Sequence, residues 1–305
     1  MNYYFAPMEG ITDSIYRRLH HQYFGGPDRY YMPFISPTMH RTLTHKEERE
    51  LPLANSQPFV AIPQILTKDP EDFLWAAQVC ADRGYTEVNL NLGCPSGTVV
   101  SKGKGSGMLR DVQLLVPFLD HIYAKTPIKV SIKTRLGMED PAEFPAILSA
   151  LEPFPVAELT IHPRVRKQFY DGGVHMDSFR YAAEHSALPL CYNGDLRSLA
   201  EIDAFRQEFP QIGAVMIGRG LIGDPGMLTG TNIATLEAFH NHLLEEYTVA
   251  FGGSRNAMFR LKENWHFLIE HFDNSEKLWK RLRKTTDIGE FRSITAQIFH
   301  TLPWK

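Results

Sequence analysis

The chain has 305 residues, of which 43% are hydrophobic and 22% are charged, and its formal net charge is −3. This length suits one large domain or two smaller ones, and the composition excludes a collagen-like or mostly disordered chain. With only three cysteines, a disulfide framework or a cysteine-rich zinc site is excluded, and we expect no metal. The small net charge argues against a protein that coats nucleic acid through charge alone.

No apolar run in the sequence approaches the ~18 residues that a membrane span requires. The first residues also lack the basic start and apolar stretch of a signal peptide. We therefore expect a soluble, cytoplasmic protein that does not contact a membrane. Nothing in the sequence implies a protein partner.

Short apolar runs alternate with longer amphipathic stretches over most of the chain. The runs predict strands at residues 3–5, 30–34, 59–65, 87–92, 128–134, 158–162, 188–193 and 214–218. The stretches between them predict helices at residues 69–83, 111–125, 141–151, 177–185 and 198–209. Asp69 and Ser198 are the expected N-caps, because their side-chain oxygens accept bonds from free backbone N–H groups. Eight such alternations are typical of an α/β fold, the (β/α)8 TIM barrel.

The pattern changes near residues 228–232, beyond which no strand is predicted. Apolar residues at helical spacing predict helices at residues 236–251, 256–272, 275–284 and 288–299, which together form a small all-α helical bundle. We therefore divide the chain into a barrel domain, residues 1–232, and a helical domain, residues 233–305. Residues 277–284 contain five basic residues and no acid, so they form either a solvated helix face or a surface that contacts phosphates.

The ends of the predicted strands carry reactive side chains, which is where TIM barrels place their active sites. Cys94 follows the fourth strand, between Gly93 and Pro95. A thiol held there can donate a proton to a carbon or attack one. Cys80 and Cys191 are interpreted instead as small buried core residues.

Basic residues end the fifth and sixth strands, Lys133 and Arg135 on one and His162 and Arg164 on the other. Because a cation inside a barrel strand is costly unless it is paired, Lys133 is expected to meet an anion. The segment 99–108, which includes Lys102, is rich in glycine and lysine. It is either a flexible connection or a mobile loop near an anionic ligand.

Glycine-rich turns end strands seven and eight, at residues 193–195 and 218–220. Turns at these two places form the usual phosphate site of TIM barrels, through backbone N–H groups. The sequence therefore predicts a phosphorylated ligand or cofactor. FMN fits, because it has one phosphate and a flat ring, and Lys133 would stabilise its reduced, anionic form.

Taken together, these segments resemble the tRNA-dihydrouridine synthase family of bacterial type, flavin enzymes that reduce uridine in tRNA. The resemblance lies in residues 6–13 with Arg17, Gln64 in 62–65, 91–95, 133–135, 162–164, 193–195 and 218–220. The element Asn-x-Gly-Cys-Pro at 91–95 is the most specific of these. The helical tail is also similar to the tRNA-binding domain of that family.

The resemblance implies FMN as the cofactor, NADPH as the reductant and tRNA as the partner. It implies flavin contacts for Pro7, Met8, Gln64, Lys133, His162, Asn193, Gly194, Asp195, Gly218 and Arg219. It implies substrate contacts for Asn91, Lys102, Arg135, Arg164, Lys280, Arg281 and Arg283. Cys94 would be the catalytic general acid.

The implied reaction is the NAD(P)H-driven reduction of the C5=C6 bond of specific uridines to 5,6-dihydrouridine. Reduced FMN would give a hydride from N5 to C6, and Cys94 would give a proton to C5 from the opposite face. The uridine would have to be flipped out of its stack to reach the flavin. The chain departs from the family at Pro163 and Val165, which stand where Gly and Thr are usual, and within 96–98, which lack the usual basic residue.

Other functions remain possible on the same barrel. One is an FMN-dependent oxidoreductase that acts on a free pyrimidine or an enone, although such an enzyme has no need of a basic, aromatic-bearing tail. Another is a non-catalytic RNA-binding protein, against which the intact Cys94, Lys133 and His162 argue. A flavin-free phosphosugar isomerase or synthase offers no reason for Cys94 in its setting.

Overall fold

The computed structural model describes residues 1–305 and contains one parallel sheet surrounded by helices. The strands are β1 (Asn2–Phe5), β2 (Arg29–Tyr31), β3 (Ala61–Ile62), β4 (Gln64–Ile65), β5 (Glu87–Leu92), β6 (Lys129–Arg135), β7 (Leu159–His162), β8 (Leu190–Tyr192) and β9 (Ala214–Ile217). The helices are α1 (Ser14–Tyr23), α2 (His45–Glu50), α3 (Pro70–Asp82), α4 (Gly97–Val100), α5 (Val112–Lys125), α6 (Phe144–Leu151), α7 (Met176–His185), α8 (Leu199–Glu208), α9 (Arg219–Gly223), α10 (Ile233–Ala250), α11 (Ser254–Leu268), α12 (Glu276–Lys284) and α13 (Ile288–Thr301). None of these helices combines the length and the apolar character of a membrane span.

The sheet closes on itself at Pro63. Its strand order is β3-β2-β1-β9-β8-β7-β6-β5-β4, so the two edge strands are consecutive in the chain. Proline has no N–H group to donate to the ladder, which splits the run in two, but the carbonyl of Pro63 still accepts from the backbone N–H of Asn89 at 2.8 Å. The strands therefore occupy eight positions around a barrel, and the predicted TIM barrel is confirmed.

Local differences from the sequence-based elements have simple causes. The single strand predicted over residues 59–65 is two short strands, and the one predicted over 30–34 ends at Tyr31. Helix α2 was not predicted, although Thr44 and Glu47 form a capping box at its start. The predicted N-caps are confirmed, since the side chains of Asp69 and Ser198 both accept bonds from the first turn of their helices.

Four helices, α10 to α13, pack together after the last strand. Helix α10 starts at Ile233 and contacts α1, while α11 contacts α9. The hydroxyl of Tyr247 donates to Asp13 at 3.1 Å, and Arg260 donates to the carbonyl of Gly10. One apolar core continues from the barrel into these helices, so the tail is fixed against the barrel; the domain boundary at residue 232 stays a prediction.

Polar side chains close the amino-terminal end of the barrel, away from the strand ends that carry the predicted site. The carboxylate of Glu158 accepts from the hydroxyl groups of Tyr4 at 3.0 Å and Tyr31 at 3.4 Å. Arg29 pairs with Glu87 nearby at 3.2 Å. Burial, together with the charge of Glu87, raises the pKa of Glu158 from its usual 4.5 to about 7.

This raised pKa predicts that folding takes up a proton at mildly acidic pH. A carboxyl group of this kind stabilises the fold fully below its unfolded pKa, and the stabilisation is lost as pH rises through the folded pKa. The contribution of Glu158 to the free energy of unfolding should therefore fall between about pH 5 and pH 8, opposite in sign to the contribution of the buried neutral histidines His20 and His240. In Glu158→Gln this fall should be smaller, as measured by urea unfolding, whereas Glu245→Gln on an exposed helix face should retain it. Equal pH dependence in both variants would contradict the assignment.

Candidate active site at the carboxyl end of the barrel

The carboxyl ends of the strands surround one cleft with two adjoining parts. The parts have volumes of about 510 and 1180 Å³ including their open mouths. They share Pro7, Met8, Lys133, His162 and Tyr170 as lining residues. A concave site with a few convergent polar groups is typical of cofactor and substrate binding.

The smaller part is bounded by the turns after β8 and β9, residues 193–197 and 218–220. Glycine is required here by space, because a Cβ on Gly220 would lie 2.3 Å from the carbonyl oxygen of Leu196. Asn193 ties the first turn to β9 by donating from Nδ2 to the carbonyl of Met216 at 2.7 Å. Backbone therefore borders the cleft directly, as the predicted phosphate site requires.

Four cations converge around His162. Burial and the charges of Arg135, Lys133, Arg164 and Arg219 hold the pKa of His162 well below its ordinary value, so the imidazole is neutral. Because a guanidinium can only donate, Nε2 of His162 accepts from Nη1 of Arg164 at 3.2 Å. The proton of the neutral ring is therefore on Nδ1.

Asp195 pairs with two of these cations. Its carboxylate accepts from Arg164 at 3.0 Å and also from Arg219. Burial opposes ionisation of Asp195, but the hydrogen bonds and charges of the two arginines hold its pKa below the usual value. Asp195 lines the smaller part of the cleft beside Arg219 and holds that guanidinium in place.

Arg164, predicted to contact the substrate, is completely buried. Besides its hydrogen bonds to Asp195 and His162, Arg164 donates to the carbonyl of Gly172 at 2.6 Å. It does not line either part of the cleft. The predicted contact between Arg164 and a substrate stays a prediction, and the geometry gives this residue a supporting position instead.

Lys133 differs from the arginines because its ammonium group forms no ion pair or hydrogen bond within the protein. It lines both parts of the cleft. Burial and the neighbouring charge of Arg135 lower its pKa to about 7. A bound anion would restore the charge of Lys133, which agrees with the sequence-based expectation that this lysine meets an anion.

Cys94 lines the wider part of the cleft. Its turn is held from two sides: Oδ1 of Asn91 accepts from the N–H of Cys94 at 2.9 Å, and Nε of Arg135 donates to the carbonyl of Gly93 at 2.9 Å. Burial raises the pKa of the Cys94 thiol above its ordinary value. The group is therefore protonated at neutral pH and can serve as a proton donor.

Gln64 and Asn91 also line the wider part of the cleft, and their side chains bond to each other at 2.7 Å. Arg135 is buried and donates to three backbone carbonyls. Lys102 is exposed on the segment after α4 and does not line the cleft. The three predicted tRNA contacts in the tail are exposed on α12 and lie outside it too: Lys280, Arg281 and Arg283.

Sequence reasoning missed Tyr170. Its ring lies between the guanidinium groups of Arg135, at 5.4 Å, and Arg219, at 4.9 Å, and it is 48% exposed. The preceding residue, Phe169, has a φ of +50° and accepts from Arg135 through its carbonyl at 2.6 Å. An aromatic pair in a polar loop directly after the basic end of β7 was the signal that could have identified this residue.

The departures at Pro163 and Val165 are accommodated by backbone contacts. The carbonyl of Pro163 accepts from the N–H of His175 at 2.7 Å. The carbonyl of Val165 accepts from Nη1 of Arg135 at 3.1 Å. Since carbonyl groups make these bonds, the loop keeps its connections to the site whichever side chains stand at the two positions.

Comparison with known proteins identifies the family of the chain. A sequence model of the family described as dihydrouridine synthase (Dus) matches residues 4–300. The tRNA-dihydrouridine synthase B of Pasteurella multocida is 31% identical over 224 residues, which cover 73% of this chain and 66% of that protein. A probable tRNA-dihydrouridine synthase of Rhizobium leguminosarum is 27% identical over 306 residues, covering 97% and 94%. The tRNA-dihydrouridine(16) synthase of Neisseria meningitidis is 25% identical over 312 residues, covering 96% and 93%.

Solved structures share the barrel. Morphinone reductase superposes with a TM-score of 0.53 at 11% identity, covering 77% of this chain and 88% of that chain. A variant of NCR from Zymomonas mobilis gives a TM-score of 0.51 at 14% identity, covering 77% and 90%. At these identities the likeness shows the fold. Because the family match extends over nearly the whole sequence, the chain belongs to the dihydrouridine synthase family.

Proposed function

We propose that the protein reduces the C5=C6 bond of uridines in tRNA, with FMN as its flavin and NADPH as the reductant. The observation that supports this most strongly is the single cleft that brings together Cys94, Lys133 and the two glycine-rich turns. A phosphate site, an unpaired cation and a protonated thiol are the groups that this chemistry requires. A tRNA substrate supports a cytoplasmic location.

The residues present fit FMN. Backbone at Gly194 and Gly218, with the guanidinium of Arg219, would hold its phosphate, and Lys133 would lie near the ring. When bound, the flavin supplies the two electrons and the hydrogen that are added to C6 of the uracil. Lys133 would balance the negative charge that the ring carries after reduction by NADPH.

Cys94 would complete the reduction by donating its proton to C5. The thiol is suited to this because burial keeps it protonated. The thiolate left behind would be stabilised by the charges of Arg135 and Lys133, which favour the ionised form. The sum balances: uridine, NADPH and one proton give dihydrouridine and NADP⁺.

The tail supports an RNA substrate rather than a free pyrimidine. Leu278 and Leu282 are buried and hold α12 so that its basic residues are exposed. Lys262 on α11 donates to the carbonyl of Arg283 at the end of α12, at 3.3 Å. Helix α11 also reaches the cleft rim, where Arg260 donates to the carbonyl of Gly10. Helix α12 is therefore joined to the rim through α11.

The acid role of Cys94 predicts a split between two half-reactions. Cys94→Ala should lower the rate of dihydrouridine formation in tRNA transcripts by a factor of roughly 10²–10⁴, the usual contribution of a positioned acid. Bound flavin and its reduction by NADPH, followed by absorbance, should be unchanged. Cys191→Ala, which changes a cysteine buried outside the cleft, should remain active. Reduction of tRNA by Cys94→Ala at a near wild-type rate would show that the acid is another group.

The unpaired ammonium group predicts a second variant. Lys133→Met should retain less flavin after purification and should give the bound flavin a more negative reduction potential, because the reduced, anionic ring loses its counter-charge. Lys104→Met is the matched control, since Lys104 bonds to Ser36 at 3.2 Å and lies outside the cleft lining. The flavin released from the wild type by heat should run with FMN in chromatography. Full flavin retention with an unchanged potential in Lys133→Met would disprove this role.

The exposed cations of α12 predict a specific loss of RNA affinity. The triple change of Lys280, Arg281 and Arg283 to Glu should weaken tRNA binding and reduce the slope of log affinity against log salt by about 2–3. NADPH-driven flavin reduction should be unaffected. The same change at Lys125, Lys129 and Arg206, which are exposed on the barrel, is the control. If both triple variants bind tRNA alike, α12 does not form the RNA surface.

A further inference from the structure

A row of buried side-chain hydrogen bonds connects the barrel interior to the turn that carries Cys94. Nδ2 of Asn91, the residue that accepts from the N–H of Cys94, donates to Oε1 of Gln64 at 2.7 Å. Nε2 of Gln64 donates to Oδ1 of Asn89 at 2.8 Å. Nδ2 of Asn89 donates to Oγ of Ser131 at 3.0 Å. We refer to Asn91, Gln64, Asn89 and Ser131 as the amide row.

The chemistry of the groups fixes the direction of every bond in the amide row. The backbone N–H groups of the turn can only donate, so Asn91 must present its carbonyl oxygen to them. Its amide nitrogen then needs an acceptor, which Gln64 provides, and the same requirement passes on to Asn89. The hydroxyl of Ser131 is the final acceptor. One end of the row therefore determines the orientation of all three amides.

The members of the row lie at two depths. Gln64 and Asn91 line the cleft, whereas Asn89 and Ser131 do not. These two are completely buried and face each other across the β5–β6 pair. Because a buried amide without a partner is costly, removing the acceptor at Asn89 favours a rearrangement of the amides above it.

We propose that Asn89 and Ser131 are positioning residues for the proton transfer. They fix the side-chain amides of Gln64 and Asn91, and through Asn91 they fix the turn that presents the Cys94 thiol. The inference rests on the acid role of Cys94 proposed above. Since neither residue borders the cleft, their effect reaches the reaction through the amide row.

The test replaces Asn89 by Leu, which has a similar volume but can neither accept nor donate. We expect kcat for tRNA reduction, expressed per bound flavin, to fall about tenfold or more. Alkylation of Cys94 by iodoacetamide, mapped by mass spectrometry across pH, should shift to lower pH because a loosened turn exposes the thiol. The buried Cys80 and Cys191 are internal references.

Asn89→Asp is the conservative rescue. In either protonation state it keeps the oxygen that Gln64 requires, and the hydroxyl of Ser131 can rotate to donate to it, so activity and alkylation should be near wild type. Ser131→Ala should show a several-fold loss of kcat. Thr160→Val is its matched control, because the hydroxyl of Thr160 is buried on β7 without a hydrogen-bond partner.

A wild-type kcat in Asn89→Leu, or a lowered kcat with an unchanged alkylation profile, would overturn the proposal, and so would failure of the Asp rescue. Should Asn89→Leu not yield a folded flavoprotein, the comparison of Ser131→Ala with Thr160→Val decides by the same two readouts. If the wild-type protein forms no dihydrouridine, the proposed function fails instead. The alkylation profiles still test the amide row in that case.

Discussion

The site depends on positive charge held at the carboxyl end of the barrel. Lys133, Arg135, Arg164 and Arg219 all act on His162, while Asp195 pairs with only two of them. Buried charge is costly unless it is paired and hydrogen-bonded. Arg164 and Arg219 pair with Asp195, and Arg135 donates to three backbone carbonyls, but Lys133 has neither kind of partner. An anionic ligand would complete the cluster, whose cations the barrel already holds in place.

One of these cations, Arg135, also connects separate segments of the cleft lining. Arg135 holds the turn before Cys94 through the carbonyl of Gly93 and the segment before Tyr170 through the carbonyl of Phe169. Its charge also lowers the pKa of the Cys94 thiol, against the burial that raises it. One buried guanidinium therefore holds the Cys94 turn, holds the segment that carries an aromatic ring of the cleft, and favours the ionised form of the thiol.

The barrel and most of the residues that line the cleft could be predicted from the sequence. Buried parallel strands appear as short apolar runs, and the carboxyl ends of such strands converge at one face of a barrel. What could not be predicted were contacts between residues far apart in the chain. The burial of Arg164 behind Asp195 depends on how β7 and the turn after β8 meet. Tyr170 lies in the cleft because Arg135 and Arg219, from two other strand ends, flank its ring. The split at Pro63 follows from its missing N–H.

The central claim is that one cleft holds a flavin beside Lys133 and leaves the Cys94 thiol free to meet a uracil. A crystal structure of the purified flavoprotein tests it most directly. The account predicts the flavin phosphate against the turns at Gly194 and Gly218, the ring edge at Lys133, and the Cys94 sulfur facing the open side of the ring. A flavin bound elsewhere, or a sulfur turned into the apolar core, would contradict it.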